Sequence, residues 1–378
     1  MTLFTSEQEE IKKLVQDFAQ KEVAPRAAAY DHSEEFPWDN IKKMAELGLM
    51  GLPIPEQYDG AGTDTVSYII AIEEISKACA ATGVILAVHT SVGILPILYF
   101  GTEEQKQKHI PALARGEKIG AFALTEPNAG SDASKVATTA TLEENQYVLN
   151  GTKCFITNGA VAETFIILAT TDKSKGTKGI TAFIVEKNTP GFSVGKKEEK
   201  MGIRASSTTE IILDNCRIPK ENVLGKEGDG FKIAMTALDS GRIGIGAQAL
   251  GIAEAAYQEA VKYAKERQQF GKPIAAFQAI SFMLADMAIQ IEAARHLVYN
   301  AAALKDAGKP FGKEAAIAKT FASDTAVKVA LDAIQVLGGY GYSREYPVER
   351  LLRDAKITQI YEGTNQIQRI VIAGYILK

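Results

Sequence analysis

Hydrophobic residues recur at helical spacing over the first part of the chain. From Ser6 to about Gly116, stretches such as TVSYIIAIEEISKACA repeat apolar residues every three or four positions. Ser6 and Glu9 predict a capping box at the first helix, and Pro25 predicts the end of that helix. This part of the chain is therefore predicted to be helical.

The pattern changes near Ala121 to the β-branched, alternating pattern of strands. AFALTE, GITAFIVEKNTPGFSV and TTEIILDNCRI are short apolar segments bounded by Gly, Pro and Asn. In QYVLNGTKCFITNG, Asn150-Gly151 predicts a turn between two alternating runs. These features predict an antiparallel β-domain.

Helical spacing returns after GKEGDGF. Three or four long helices are expected after Gly230, because apolar residues such as Ile280, Leu284 and Met287 fall on one stripe. The order of helices, then strands, then helices predicts an α+β fold and argues against a doubly wound sheet.

We place the domain boundaries where the pattern changes. A helical domain is expected over residues 1–118, a β-domain over residues 119–228 and a second helical domain over residues 229–378. Gly244-Ile-Gly246-Ala-Gln-Ala249 matches half of a dinucleotide-binding fingerprint, but it lacks the strand that must precede such a motif. Close helix packing is the predicted role of these small residues.

Charge and composition exclude several classes of function. Lys and Arg total 42 against 46 Asp and Glu, so the basic excess of a nucleic-acid-binding protein is missing. The N-terminus lacks the pattern of a signal peptide, and no apolar run is expected to span a membrane. Three widely spaced cysteines predict reduced thiols in the cytoplasm, and four histidines without ligand spacing argue against a metal.

Five segments contain more polar, glycine or aromatic residues than packing requires. They are TEPNAGSDA (125–133), FITNG (155–159), KERQQFGKPI (265–274), QVLGGYGY (335–342) and IYEGTNQIQR (360–369). Taken singly, the first four fit a turn, a β-surface, a charged helix end and a glycine C-cap. Glu362 taken singly fits a solvated carboxylate at the start of a helix.

Taken together and in this order, these segments resemble the acyl-CoA dehydrogenase family, the flavoproteins that desaturate acyl-CoA thioesters. LTEPNAGSD, FITNG, LDSGRIGI, ERQQFGKPI, QVLGGYGY and YEGT are similar to those of bacterial short-chain, butyryl-CoA members, over nearly the whole chain. The resemblance implies a C-terminal four-helix bundle and an FAD that lies between the bundle and the β-domain without a Rossmann fold. It also implies a homotetramer, built as a dimer of dimers, and an electron-transfer flavoprotein as partner.

The resemblance also implies which residues bind the cofactor. The isoalloxazine ring and its ribityl and phosphate groups would contact Phe122, Leu124, Thr125, Ser131, Phe155, Ile156 and Thr157. The pyrophosphate and adenosine would contact Arg267, Phe270 and Gln278, with Gln335, Leu337, Gly338 and Gly339 from a neighbouring subunit, and Thr364 and Gln366 would complete the site.

On the substrate side, the resemblance implies an acyl-CoA bound by Ser131, Leu238, Asp239, Arg242, Tyr361 and Gly363. Desaturation needs a base for the α-proton and an acceptor for the β-hydride on opposite sides of one carbon-carbon bond. The family implies Glu362 as the base, flavin N5 as the acceptor, and the Glu362 amide with a ribityl hydroxyl as the donors to the enolate oxygen.

Three positions depart from the pattern of some relatives. Gly241 stands where certain members place the base, which leaves Glu362 as the base and favours straight-chain substrates of short to medium length. Phe122 and Phe155 stand where relatives often have Tyr and Trp, so we expect altered redox tuning with binding retained.

Several alternatives stay open at the level of sequence. Within the family they are an enoyl-CoA reductase that works in reverse with a bifurcating electron-transfer flavoprotein, a medium-chain dehydrogenase, and an acyl-CoA oxidase. Outside it, a cofactor-free proton-transfer enzyme would use Glu362 alone, and a helical scaffold protein would use none of these sites. Flavin absorbance of the purified protein separates the last two from the rest.

Overall fold

Helices flank a central sheet in the computed structural model, which describes residues 4–377. The α+β expectation is confirmed. The helices before the main sheet are α1 Ser6–Phe18, α2 Ala24–Ser33, α3 Trp38–Glu46, α4 Thr65–Ala78, α5 Ala80–Val88, α6 Leu95–Phe100 and α7 Glu103–Ala114. Those after it are α8 Gly230–Glu266, α9 Gln278–Asp306, α10 Gly312–Leu337, α11 Val348–Thr358 and α12 Asn365–Ile376.

The N-terminal helix begins one residue earlier than the sequence predicts. Thr5, not Ser6, is the cap, and its side chain and backbone form a reciprocal capping box with Gln8. The predicted end near Pro25 is also wrong, because the chain continues through a π-helical turn at Ala19–Val23 into α2. Pro25 lies in the first turn of α2, where its missing amide hydrogen removes no helical bond.

One apolar run is longer than the sequence analysis allowed. Ala80–Phe100 is helical over 21 residues and apolar enough to cross a membrane, so the expectation that no run has this length is wrong. However, 83% of its apolar window is buried inside the protein. This is the environment of a core helix, with a π-helical turn at His89–Ile94 between α5 and α6.

The main sheet has eight strands in the described part of the chain. They are β1 Gly120–Ala123, β2 Thr139–Glu143, β3 Gln146–Thr157, β4 Thr164–Thr170, β5 Ile180–Glu186, β6 Phe192–Lys197, β7 Thr208–Pro219 and β8 Val223–Leu224. The order is β6-β7-β3-β2-β4-β5-β8, mostly antiparallel, and both β1 and β2 pair with β4 in parallel. A separate ribbon joins β9 Gln268–Gln269 to β10 Lys272–Pro273.

Asn150-Gly151 does not form the predicted turn. Both residues lie inside β3, where the pairing with β7 shifts register, and the hairpin before β3 turns at residues 144–145 instead. A Cβ on Gly151 would lie 2.4 Å from Oγ1 of Thr138. Asn-Gly therefore marks a bulge that passes close to a neighbouring segment.

Helix α8 joins the two helical parts of the protein. It packs against α4, α9 and α10, and it also contacts β5. A Cβ added to Gly246 would lie 3.1 Å from Val298 of α9, and one added to Gly251 would lie 2.3 Å from the Glu73 carbonyl of α4. Gly246 of the fingerprint-like segment thus permits close helix packing, as predicted, and Gly251 just after the segment does the same.

Candidate active site

Glu362 lies in the short turn between α11 and α12. Its φ angle is +52° and that of Gly363 is +89°, both in the left-handed region that residues with a side chain rarely adopt. Thr364 then caps α12 by accepting a hydrogen bond from the Ile367 amide at 3.2 Å. The Glu-Gly-Thr sequence therefore produces a tight turn that directs the Glu362 side chain inward.

The Glu362 carboxylate is buried and unpaired. Both oxygens are closed to solvent, and neither has a hydrogen-bond partner among residues 4–377. Burial raises the pKa of Glu362 to about 7, while the positive charges of Arg242 and Lys319 act in the opposite direction. A carboxylate in this state is a stronger base than one in water.

Gly241 of α8 lies directly beside that carboxylate. A Cβ on Gly241 would come within 1.8 Å of Oε2 of Glu362, so only glycine leaves room for the side chain as it stands. A side chain at position 241 would therefore occupy the space that the Glu362 carboxylate fills.

Hydrogen bonds connect Tyr361 to helix α8 and, through it, to helix α5. Its hydroxyl donates to the side-chain carbonyl of Gln248 on α8, and Gln248 donates to the Ala80 carbonyl at 3.0 Å. Burial raises the pKa of Tyr361 well above its usual range, as does the nearby Glu362, so the phenol stays protonated. These bonds connect the turn through α8 to the N-terminal helices.

Asp239 and Arg242 lie one turn apart on α8. Nη1 of Arg242 donates to Oδ1 of Asp239 at 2.5 Å, while Nε of Arg242 is buried without a partner in the described chain. Leu238 is half-buried against a cluster of apolar residues from the N-terminal helical part, the sheet and α8. Tyr361, Glu362, Arg242 and Asp239 are therefore gathered along one stretch of α8, while the Gly363 carbonyl accepts bonds from Lys319 of α10 and Gln368 of α12.

The predicted flavin-ring residues come from two adjoining segments. Phe122 lies on β1, with Leu124 and Thr125 just after it, and the Thr125 carbonyl accepts a bond from the Cys154 amide at 3.0 Å. Phe155 has a φ of +57° at an irregularity in β3 and is 63% exposed. The side chains of Leu124 and Ile156 are buried in the core, Thr157 is half-buried and Ser131 is exposed.

The predicted adenosine-side residues lie in a different place. A groove of about 730 Å³ is lined by Arg267, Phe270, Leu337, Gly338 and Gly339. Phe270 is 92% exposed, and a Cβ on either glycine would meet no atom within 4 Å. Gln278, Gln335 and Gln366 are exposed outside the groove lining, and Thr364 is the cap of α12. The groove and the surroundings of Glu362 share no residue.

Three family models match the chain in succession. They are the acyl-CoA dehydrogenase N-terminal domain over residues 5–117, the middle domain over residues 121–216 and the C-terminal domain over residues 228–377. The chain belongs to the acyl-CoA dehydrogenase family. An acyl-CoA dehydrogenase of Bacillus subtilis (strain 168) is 64% identical to it, over 99% of this chain and 98% of the relative.

Solved acyl-CoA dehydrogenase structures share the whole fold. Butyryl-CoA dehydrogenase from Megasphaera elsdenii is 54% identical, covers 99% of both chains and superposes with a TM-score of 0.98. A chain from the study "Electron transferring flavoprotein of Acidaminococcus fermentans: Towards a mechanism of flavin-based electron bifurcation" is 55% identical, with the same coverage and TM-score.

Sequence reasoning missed two lysines near the site of this acyl-CoA dehydrogenase. Lys153 is fully buried and donates to Oε1 of Glu126 at 2.7 Å and to the Leu124 carbonyl at 3.2 Å. Lys319, also fully buried, donates to the Gly363 carbonyl at 2.9 Å. The only available signal was a lysine at an inward position of a strand or helix, which is too common to interpret alone.

The crowding at Gly241 leads to a first prediction. Gly241→Ala should displace the Glu362 carboxylate and lower turnover of an acyl-CoA by about 10²-fold, since misplacing a catalytic group by about 1 Å costs this much. Gly244→Ala is the matched control, because its Cβ would lie 3.4 Å from Ile72, an ordinary contact. Steady-state assays of both variants check the result, and equal rates would show that Glu362 is not positioned against Gly241.

Proposed function

We propose that this protein is an FAD-dependent acyl-CoA dehydrogenase that oxidises short-chain acyl-CoA thioesters, typified by the conversion of butyryl-CoA to crotonyl-CoA. The single observation that supports this function most strongly is the buried, unpaired carboxylate of Glu362. A base for a weakly acidic α-proton must be free of competing donors and shielded from water, and Glu362 meets both conditions.

Glu362 removes the α-proton of the thioester. Its raised pKa, about 7, lets it accept a proton more readily than an exposed glutamate, while a substantial fraction stays ionised near neutral pH. The amide of Glu362 is not among the backbone donors bonded within residues 4–377, so it is available to the developing enolate oxygen. Gly363 leaves the approach to this amide open because it has no side chain.

The flavin-side residues fit a flat aromatic cofactor. Phe155 presents an exposed ring from a left-handed backbone position, and non-glycine residues held in such positions cluster at binding sites. Phe122, Leu124, Thr125, Ser131, Ile156 and Thr157 would hold the ring end of FAD with it. Bound FAD supplies the acceptor for the β-hydride.

The groove on the bundle fits the other end of the dinucleotide. Arg267 supplies a cation for the pyrophosphate, and the open backbone at Gly338 and Gly339 permits close approach of a ligand. Phe270, Leu337, Gly338 and Gly339 line this groove together in one subunit, so they would bind this end of FAD together. Gln278, Gln335, Thr364 and Gln366 would complete the site. We propose that the groove of one subunit and the Glu362 region of its neighbour bind the two ends of one FAD.

A homotetramer, a dimer of dimers, is part of this proposal. The described C-terminal helices expose large apolar side chains such as Phe282 and Ile289 on α9, Leu331 on α10 and Ile370 on α12. Exposed apolar surface of this extent is typical of subunit interfaces. The physiological electron acceptor is an electron-transfer flavoprotein, and the three buried free cysteines agree with a cytoplasmic location.

The second candidate is an enoyl-CoA reductase coupled to a bifurcating electron-transfer flavoprotein. It is favoured by the likeness to a chain from the study of electron bifurcation in Acidaminococcus fermentans. The same residues serve both directions, because a catalyst accelerates forward and reverse reactions alike. Assays with butyryl-CoA and an artificial electron acceptor, and with crotonyl-CoA and a reduced donor, measure which direction the enzyme performs faster.

The proposed base also predicts how the rate depends on pH. The carboxylate is the active form, so protonation below the pKa of about 7 removes the base, and kcat/KM should fall as the pH is lowered through that value. The fall should approach tenfold per pH unit. Initial rates between about pH 5.5 and about pH 8.5 measure it, and a flat acid limb over this range would contradict Glu362 as the base.

A further inference from the structure

Lys319 is buried in α10 and is bonded to the turn that bears Glu362. Its ammonium group donates to the Gly363 carbonyl and to Oδ1 of Asn365, both at 2.9 Å. Neither acceptor is a carboxylate. A buried cation without a bonded carboxylate is costly, and burial lowers the pKa of Lys319 to about 7. Packing alone gives no reason for a charged group here, since an apolar side chain would fill the same volume.

The turn needs external support because its backbone is unfavourable. Glu362 has a φ of +52°, a conformation that a residue with a side chain adopts only when its surroundings hold it. The side-chain Nε2 of Gln368, on α12, donates to the backbone carbonyls of both Glu362 and Gly363, at 3.0 and 2.9 Å. Lys319 binds the Gly363 carbonyl from α10. Donors from two helices therefore hold this peptide.

Asn365 extends the same network into α10. Its side-chain amide donates to Ser323 at 2.9 Å and to Asp324 at 2.7 Å, while its carbonyl oxygen accepts from Lys319. Lys319 thus connects the start of α12 and the carbonyl after Glu362 to a single position on α10. A shift of that ammonium group would move the turn as a whole.

We propose that Lys319 is a positioning residue for the reaction, which holds the Glu362 turn so that the carboxylate lies against Gly241 and faces the substrate. This inference rests on the proposed role of Glu362 as the base. Lys319 does not bond to the Glu362 carboxylate, so it acts through the backbone and through its charge.

The charge of Lys319 gives the proposal a distinctive signature. Lys319 interacts electrostatically with Glu362 from the turn, with Arg242 from α8 and with Asp324 from its own helix. Both cations, Lys319 and Arg242, favour the ionised form of Glu362. Replacing Lys319 by a neutral residue should therefore raise the pKa of Glu362 and move its titration to higher pH.

The test compares Lys319→Met with the wild-type holoenzyme. The rate constant for flavin reduction by butyryl-CoA should fall by about 10²-fold, while the dissociation constant for butyryl-CoA changes little. Difference infrared spectroscopy, with the Glu362 carboxyl band assigned by its absence in Glu362→Gln, should show titration at higher pH. Lys328→Met, an exposed lysine on the same helix, is the matched control and should change neither quantity.

Three outcomes would overturn the positioning role. In the first, Lys319→Met leaves both the rate constant for flavin reduction and the titration of the Glu362 carboxyl band unchanged. In the second, the rate falls only in proportion to the loss of bound FAD. In the third, Lys319→Met lowers the rate as much in the Glu362→Gln background as in the wild type, so the two effects are fully additive. If Lys319→Met does not fold, Lys319→Gln undergoes the same measurements and is judged by the same criteria. Full activity of Glu362→Gln would instead refute the proposed base itself, so the two failures are distinguishable.

Discussion

Glu362→Gln should abolish most turnover while FAD stays bound. Glutamine has nearly the same shape as glutamate but cannot accept a proton, and general base catalysis contributes about 10²- to 10⁴-fold to a rate. The free energy of unfolding should not decrease, because the substitution removes a buried, unpaired carboxylate and leaves no cavity. Stopped-flow measurement of flavin reduction, together with the flavin content of the purified variant, checks this result.

The matched control for that variant is Glu10→Gln, an exposed glutamate on α1. It should keep the wild-type rate. If Glu362→Gln retains a rate within a few-fold of wild type and the control does too, the α-proton is removed by another group and the assignment of the base is wrong.

Lys153→Met should destabilise the β-domain strongly. Its partner Glu126 is 5% exposed and would keep its charge with only the backbone amides of Ala137 and Thr138 as donors. Removing one member of a buried ion pair typically costs about 3–5 kcal/mol of the free energy of unfolding. Denaturant unfolding of the FAD-loaded protein measures this loss. The affinity of the protein for FAD should fall as well, because Glu126 belongs to the 125–133 segment that is predicted to contact the cofactor.

Lys175→Met provides the matched control for Lys153→Met. It breaks an exposed ion pair with Asp172 in the same domain, so the free energy of unfolding should change by less than about 1 kcal/mol. The double variant Lys153→Met/Glu126→Gln should recover part of the loss, since no charge is then left unpaired. Equal stability of Lys153→Met and wild type would show that the buried pair does not hold this segment.

The helix-strand-helix order was predictable because the periodicity of apolar residues differs sharply between the three parts. Short sequence motifs for turns and helix ends were less reliable where tertiary contacts determine the local backbone structure. Asn150-Gly151 has the chemistry of a hairpin turn, yet pairing with β7 keeps it inside β3, and the same residues form a bulge. Pro25 indicates a helix end, yet it also suits the first turn of the following helix.

The candidate base was predictable, whereas its environment was not. Taken singly, Glu362 fits a solvated carboxylate at the start of a helix, and its role as the base follows from the resemblance of the five segments together to one family. Its neighbours Gly241, Gln368 and Lys319 come from three different helices, so only the packed structure shows that they meet. The domain boundaries and the roles of the individual cofactor-binding residues stay predictions.

The preferred acyl chain length and the preferred direction of the reaction are set by the packed structure, the flavin potential and the electron-transfer partner, and not by any short sequence motif. We expect the depth of the acyl pocket to depend on the backbone placement of residues 84–94 and on Leu238 and Ile245 of α8. The direction depends on the flavin potential and on the electron-transfer partner. Comparison of butyryl-CoA, octanoyl-CoA and crotonyl-CoA as ligands of the same preparation addresses both questions.

The most direct test of the central claim is an anaerobic titration of the FAD-loaded protein with butyryl-CoA, followed through the flavin absorbance band. We expect the band to bleach with the wild-type protein and to persist with Glu362→Gln over the same time. Bleaching by octanoyl-CoA alone would correct the chain length to medium. A wild-type band that no acyl-CoA bleaches, or equally fast bleaching of both proteins by butyryl-CoA, would contradict dehydrogenation by Glu362.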